Sequence, residues 1–297
     1  MTTPPTPRNP TEALAFALRG IERTSTQALR HTAALHETVL ELKDLALRQS
    51  TLELQRLHPN PLNRAGRQCF SQSDEDGITL EILRRLGAGA GIFAEFGVGN
   101  GLENNTLILG ALGWKGFWVG GEPLAFDCTG LARLTHLQEW ITLDNLGQLT
   151  TRGLSLIGAN TVDLISLDLD GNDFHFAEAL LQRGLRPALF IVEYNAKLPP
   201  PARFRMPYDS AHRWAGDDYF GAALTDFVEL FASFGFTLVC CNAHTGCNAF
   251  FVRDESLHAF QDVPRDVATL YAAPRYHVYR RHGHPTSTRL VQALFAR

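Results

Sequence analysis

Several absences narrow the class of this chain before any motif is read. Five cysteines among 297 residues are few and odd in number, and none forms a C-x-x-C pair. That speaks against a disulfide framework or zinc knuckle and for a reducing, cytoplasmic setting. No apolar run is long enough to span a bilayer, and the opening MTTPPTPRNP lacks the apolar core of a secretory signal. Positive charge is not in excess: 27 Lys and Arg stand against 31 Asp and Glu, a formal net charge of −4. An acidic surface attracts neither nucleic acid nor anionic membrane, so neither is an expected partner. What is present is an ordinary globular balance, 45% hydrophobic and 20% charged, which excludes bulk disorder. The length suits one large α/β domain with an appendage, on the scale of an enzyme.

Residues 1–10, rich in Pro and Thr, are expected to be disordered. From Thr11 to Leu57 there is no proline and only one glycine, Gly20. Leu14, Leu18, Ile21, Ala28, Leu35, Val39, Leu42 and Ala46 recur at close to a 4-3 spacing, interrupted by Ser25 and Thr32. The pattern predicts a long amphipathic helix over 11–60 that buries its seam against a second copy, as a coiled coil, or against its own domain. HPNPLN (58–63) breaks it.

The remainder alternates strand-like and helix-like segments. Strands are expected at 91–98, 115–120, 140–143, 161–169 and 188–194. Helices are expected at 102–112, 174–183 and 220–234. TLVCCN (237–242) and CNAFFVR (247–253) flank a short loop as a hairpin. This predicts a mostly parallel sheet covered on both faces, with one antiparallel strand at the end.

The densest signal is Glu95-Phe96-Gly97-Val98-Gly99-Asn100-Gly101, between the first strand and its helix. Glycines there permit a tight turn and close approach of a ligand to backbone at the carboxyl edge of the sheet. A dinucleotide site reads G-x-G-x-x-G/A and offers a helix N-terminus to a pyrophosphate. This chain reads G-x-G-x-G, with Leu102 in place of the last small residue and Glu103 where an acid would repel a diphosphate. A cationic or zwitterionic ligand would be tolerated, and Glu95 has the same preference.

The E-x-G-x-G-x-G pattern resembles the first motif of class I S-adenosylmethionine-dependent methyltransferases. FSQSDEDGI (70–78), FGVGNGLENNTLIL (96–109), GWKGFWVGGEP (113–123), LISLDLDGNDF (164–174), VEYNA (192–196), PYDSAHRW (207–214), DYFGAAL (218–224) and CNAFFVR (247–253) together resemble a bacterial subgroup related to FkbM-type methyltransferases. The likeness covers about residues 68–255. It implies a Rossmann-like fold with a seven-stranded sheet, a methyltransferase domain over 66–255, and a C-terminal extension, 256–297, packed on the core. It also implies S-adenosylmethionine as cofactor and a sugar, glycan or glycosylated metabolite as the methylated alcohol. By the same likeness Gly97, Gly99, Asn100 and Gly101 shape the cofactor turn and Glu95 orients the methionine end. Glu122, after the second strand, would hold ribose, although relatives often place that acid a residue or two earlier. Asp144 would meet adenine, and Gln72 is a secondary contact. SQSDED (71–76) itself reads as a helix cap built on Ser73 and Asp76.

An alcohol is a poor nucleophile at neutral pH, so a base or a metal ion is expected beside it. Asp168, Asp170 and Asp173 follow the fourth strand; Glu193 and Asn195 end the fifth. Asp168, Glu193 and Asn195 form a candidate set for Mg²⁺ or Mn²⁺, since hard oxygen ligands do not select zinc. Alternatively Asp168, Asp173 or His175 is a metal-free base, or the aspartates merely close a turn and cap the next helix. In the segment 196–218, Tyr208, Arg213 and Trp214, with His244 in the hairpin loop, are candidate contacts to a sugar or anionic acceptor. Two other classes remain: an NAD-type oxidoreductase, disfavoured by the glycine spacing, and a non-catalytic scaffold that assembles through the long helix.

Overall fold

A computed structural model describes residues 9–275 and 288–295. The expected disorder at 1–10 therefore falls, for residues 1–8, outside the described residues, as do 276–287 of the C-terminal extension. The chain divides into two compact units, Met1–Ser50 and Thr51–Arg297.

Among its described residues the first unit holds a single helix. α1 runs Pro10–Leu57, its last seven residues belonging to the second unit. Proline opens it where a missing N–H costs nothing, and the Asn9 side chain accepts the Glu12 N–H at 2.9 Å as a cap. The apolar seam is present and uncovered: Leu14, Leu18, Ile21, Leu35, Val39 and Leu42 are all exposed.

The second unit holds α2 (Pro61–Arg64), α3 (Glu75–Arg85), β1 (Ile92–Phe96), α4 (Leu107–Ala111), β2 (Lys115–Gly120), β3 (Leu134–Gln138), α5 (Leu146–Leu156) and β4 (Leu164–Leu167). Then come α6 (Asp173–Gln182), β5 (Leu189–Glu193), α7 (Leu224–Ser233), β6 (Phe236–Cys241) and β7 (Asn248–Arg253). A 3-10 turn (Asp254–Phe260), α8 (Val267–Leu270) and α9 (Thr288–Phe295) complete it. The seven strands lie in the order β3-β2-β1-β4-β5-β7-β6. All pairs are parallel except those of β7, which runs against both β5 and β6. This is the expected Rossmann-like α/β architecture. The central strands are buried on both faces, which is why they read as short continuous apolar runs. The chain leaves β1 toward β2 and β3, then returns beside β1 as β4. The carboxyl ends of β1 and β4 thus flank the crevice where such sheets bind ligands.

Three expectations need correction. The third strand is Leu134–Gln138, not 140–143. It is an edge strand that buries only Leu134 and Leu137, so no apolar run marks it. Residues 140–143 instead enter a turn, in which Thr142 N–H donates to Asn145 Oδ1 (2.8 Å) and Asn145 N–H to Thr142 Oγ1 (3.3 Å). The helix expected at 102–112 shrinks to Leu107–Ala111 because the Glu95 carboxylate captures the N–H groups of Asn105 and Thr106. The helix expected at 220–234 spans Leu224–Ser233. The described part of the C-terminal extension does pack on the core: Phe260, Leu270, Val291 and Phe295 are buried, and Phe295 lies 6.1 Å from Phe93 and 6.0 Å from Trp118. Among the described residues no helix is long and apolar enough to cross a membrane.

Candidate active site

The turn after β1 and the turn after β4 are locked together by backbone. Asp168 N–H donates to Phe96 O at 3.0 Å. A Cβ on Gly97, whose φ is +95°, would stand 1.5 Å from Asp168 O. Gly97 is therefore glycine because two strand ends cross there. Gly101 (φ +80°) is likewise forced, its absent Cβ falling 2.8 Å from Leu124. Gly99 differs: the nearest atom to a Cβ there is Glu122 Oε2 at 3.9 Å, and the rest is open space.

That space belongs to a cavity of about 280 Å³ lined by Gly97, Gly99, Asn100, Gly101, Glu95 and Glu103 on the β1 side. Asn104 and Asn105, Gln72 and Glu75, Asn248 of β7, and Asp168 and Asp170 complete the wall. Asn100 shapes the turn, its Oδ1 accepting the Leu102 N–H at 3.0 Å. Glu95 lines the cavity but is already engaged: it accepts from Asn105 N–H (3.0 Å), Thr106 N–H (3.1 Å) and the Thr106 hydroxyl. Burial nonetheless outweighs these bonds and pushes its pKa up to about 7. Glu122 stands exposed at the end of β2, over Gly99. Asp144 is exposed in the turn before α5 and lines neither this cavity nor the next; its expected position depended on the misplaced third strand.

A second cavity, about 930 Å³, shares Gln72, Asp168 and Asp170 with the first. Its floor holds Asp168, Asp170 and Glu193, each offering an oxygen within 4.8 Å of the others. The Asp168 and Glu193 carboxyls are hydrogen-bonded to each other, so one of them holds a proton, and Glu193 Oε2 is shut off from solvent with no N–H or hydroxyl partner of its own. Burial first, then the charges of Asp173, Asp170 and Glu95, pushes Asp168 well above the usual carboxylate range. Burial and then Asp168 do the same to Glu193. Two carboxyls this close do not both ionise unless a cation joins them. Asp170 sits at φ 55°, a left-handed conformation that Asp tolerates better than most residues, and it turns the loop so that its carboxylate joins the pair.

The structure thus brings Asp170 to Asp168 and Glu193, with Asn195 lining the same cavity. Asn195 lines the wall, but its Nδ2 donates to Asp218 O (2.9 Å) and Phe220 O (3.0 Å) and its Oδ1 accepts from Lys197 N–H (3.2 Å). Asp173 staples the loop: its two oxygens accept from Leu169 N–H (2.8 Å) and Gly171 N–H (3.1 Å). His175 Nε2 is bonded to Met206 O at 2.8 Å and anchors the segment above it. Tyr208 OH accepts the Leu143 N–H at 2.9 Å, and Arg213 lies 4.6 Å over the Trp140 ring. His244 is buried and bonded to Thr51 Oγ1 at 3.0 Å. Asp173, His175, Tyr208, Arg213 and His244 thus line neither cavity; of the candidate acceptor contacts, Trp214 alone does.

The SQSDED block is richer than a cap. No side chain caps α3. Instead Asp76 Oδ2 accepts from the N–H groups of Cys69, Phe70 and Ser71 (2.6–2.8 Å). Glu75 accepts from Ser73 N–H (2.9 Å), Asn242 Nδ2 (2.9 Å) and Asn248 Nδ2 (3.3 Å), tying the block to the hairpin. Asn248 Oδ1, on the rim of the glycine-turn cavity, is buried without a partner. Sequence reading missed Glu75, Asn248, Asp217, Asp218 and Phe220; none lies in a spacing that marks a ligand site.

The chain matches no protein-family model and no curated protein sequence.

Proposed function

We propose that the protein is an S-adenosylmethionine-dependent O-methyltransferase acting on a hydroxyl of a glycan or glycosylated small molecule. The observation that carries this reading is the pair of cavities that meet at Gln72, Asp168 and Asp170. One has the glycine cradle of a nucleoside site; the other is large enough for an acceptor. The motif series similar to FkbM-type enzymes runs along both.

S-adenosylmethionine supplies a methyl group on a sulfonium, open to in-line attack. Gly99 leaves room for the nucleoside beside backbone, and Glu122 stands where ribose hydroxyls need an acceptor. Glu103 makes the turn hostile to a diphosphate, which disfavours NAD. Asp168 and Glu193 share a proton between them, and the ionised member of the pair is the candidate to take up the acceptor hydroxyl proton. The cluster also suits a hard divalent cation: its ligands are all oxygens, and Glu193 Oε2 lacks a partner. Mg²⁺ or Mn²⁺ held there would lower the pKa of a bound hydroxyl.

Calorimetric titration tests the cofactor. S-adenosylhomocysteine should bind saturably and NAD should not; the reverse result sinks the assignment. The exposed seam of α1 supports self-association, so removing residues 10–50 should lower the sedimenting mass to that of a monomer. A full-length protein that already sediments as a monomer ends that reading. Five free cysteines fit a reducing cytoplasm.

A further inference from the structure

We propose that the acceptor is a polyol carrying a protonated amine, and that phosphorylated or nucleotide-linked sugars are excluded. This rests on taking the larger cavity as the acceptor side.

The charge on that cavity is one-sided. Asp168, Asp170, Glu193, Asp217 and Asp218 line it against a single base, Lys197. Lys197 is itself ion-paired with Asp218, so it is not available to a ligand anion. Among the described lining residues there is no arginine or histidine. The arginines of the neighbouring segment are turned elsewhere: Arg203 pairs with Glu229, Arg205 lies 4.5 Å over the Phe174 ring, and Arg213 lies over Trp140. Even a divalent ion on the floor leaves the cavity negative, because five carboxylates exceed the ion and the lysine together. Among the described residues, a phosphate entering here would lose its water and meet five carboxylates against one lysine.

The wall opposite the floor has the parts that hold an ammonium group. Trp214 is half exposed, and its Nε1–H donates to Asp217 O at 2.7 Å while its ring meets Phe220 edge-on at 6.3 Å. The indole is thereby fixed in place beside Asp217. The Asp217 carboxylate accepts one bond, from Tyr219 N–H at 3.1 Å through Oδ1, and has no cationic partner among the described residues. An aromatic ring and a carboxylate without a cationic partner, both lining this cavity, attract an alkylammonium, one through its quadrupole and the other through its charge. The carboxylates on the floor remain for the hydroxyl that reacts.

The test is calorimetric titration of the full chain, with Mg²⁺ present, using three probes. Kanamycin is a polyol of trisaccharide size with several ammonium groups, raffinose is its neutral match, and fructose 1,6-bisphosphate is the anion. Kanamycin should bind about tenfold or more tighter than raffinose, and the bisphosphate should not bind. Asp217→Asn should weaken kanamycin about tenfold and leave raffinose within about twofold, and Trp214→Leu should weaken kanamycin about tenfold. Tighter binding of the bisphosphate than of kanamycin overturns the proposal. So does an unchanged kanamycin affinity in both variants, or no kanamycin binding at millimolar concentration. A parallel titration with S-adenosylhomocysteine separates the two claims. If it fails while the amine preference and both variant effects hold, methyl transfer falls and the assignment of an amine-bearing ligand stands. If it succeeds while the bisphosphate wins, only the amine assignment falls.

Discussion

Gly97 and Gly99 stand two residues apart in one turn, and Asp173 and Asp168 five apart in another, yet the members of each pair meet different surroundings. Gly97 and Asp173 belong to the layer that builds the sheet edge: one lets two backbones cross, the other staples a loop with both carboxylate oxygens. Gly99 and Asp168 belong to the layer that faces the cavities, where a Cβ would meet open space and a carboxylate is bonded to another carboxyl, Glu193. Glu95 and Glu193 repeat the contrast on β1 and β5. The difference teaches that deep burial does not identify a ligand-facing acid at this edge: Asp173 and Glu95 are buried, while Asp168 and Glu193 are only half-buried. What separates them is whether the protein has already satisfied the side chain.

The glycine pair gives the largest expected effect. Gly97→Ala puts a methyl on Asp168 O at a positive φ and should leave no folded protein, a loss above about 4 kcal/mol read by expression and circular dichroism. Gly99→Val should melt within a few degrees of wild type and bind no S-adenosylhomocysteine. Equal tolerance at both positions would erase the distinction.

The glutamates come next. Glu95→Gln turns an amide toward the Asn105 and Thr106 N–H groups and should cost about 1–3 kcal/mol in urea unfolding. Glu193→Gln keeps a donor for its hydrogen bond to Asp168 and removes the like charge beside it, so its midpoint should match or exceed wild type. A larger loss at Glu193 than at Glu95 would reverse the account.

The smallest effect is a pH slope. Burial raises Glu95 from 4.5 to about 7, Asp74 to about 7, and Asp76 and Asp173 to about 6. Between the unfolded and folded pKa values the folded chain binds more protons than the unfolded one. These groups therefore make stability fall as pH rises from about 4.5 to about 7, and they contribute no further slope above that. Each gives at most about 1.4 kcal/mol per pH unit. Glu95→Gln should flatten part of the decline in urea midpoints between pH 5 and 8; a variant with the wild-type slope would show that Glu95 titrates normally.

Most strands were legible because parallel strands buried on both faces leave compact apolar runs, as at 115–120 and 188–194. β3 was not, since an edge strand needs only Leu134 and Leu137 inside. In the candidate site the glycine turn, Asp168 and Glu193 could be read from spacing along strands. Their companions could not. Asp170 enters through a left-handed residue, and Glu75 and Asn248 meet across 173 positions of sequence. Asp173, His175 and Tyr208 have the right chemistry, but backbone groups that no sequence pattern exposes have claimed them.

The most direct measurement compares Asp168→Asn with Asp173→Asn in methyl transfer from labelled S-adenosylmethionine to an amine-bearing polyol, with S-adenosylhomocysteine affinity and melting temperature taken on the same samples. Asp168→Asn should melt and bind like wild type while its rate falls by about 100-fold or more. Asp173→Asn should lose stability and keep most of its rate. A folded, ligand-binding Asp168→Asn that turns over at the wild-type rate would contradict the assignment of the cavity-facing carboxylates to the reaction.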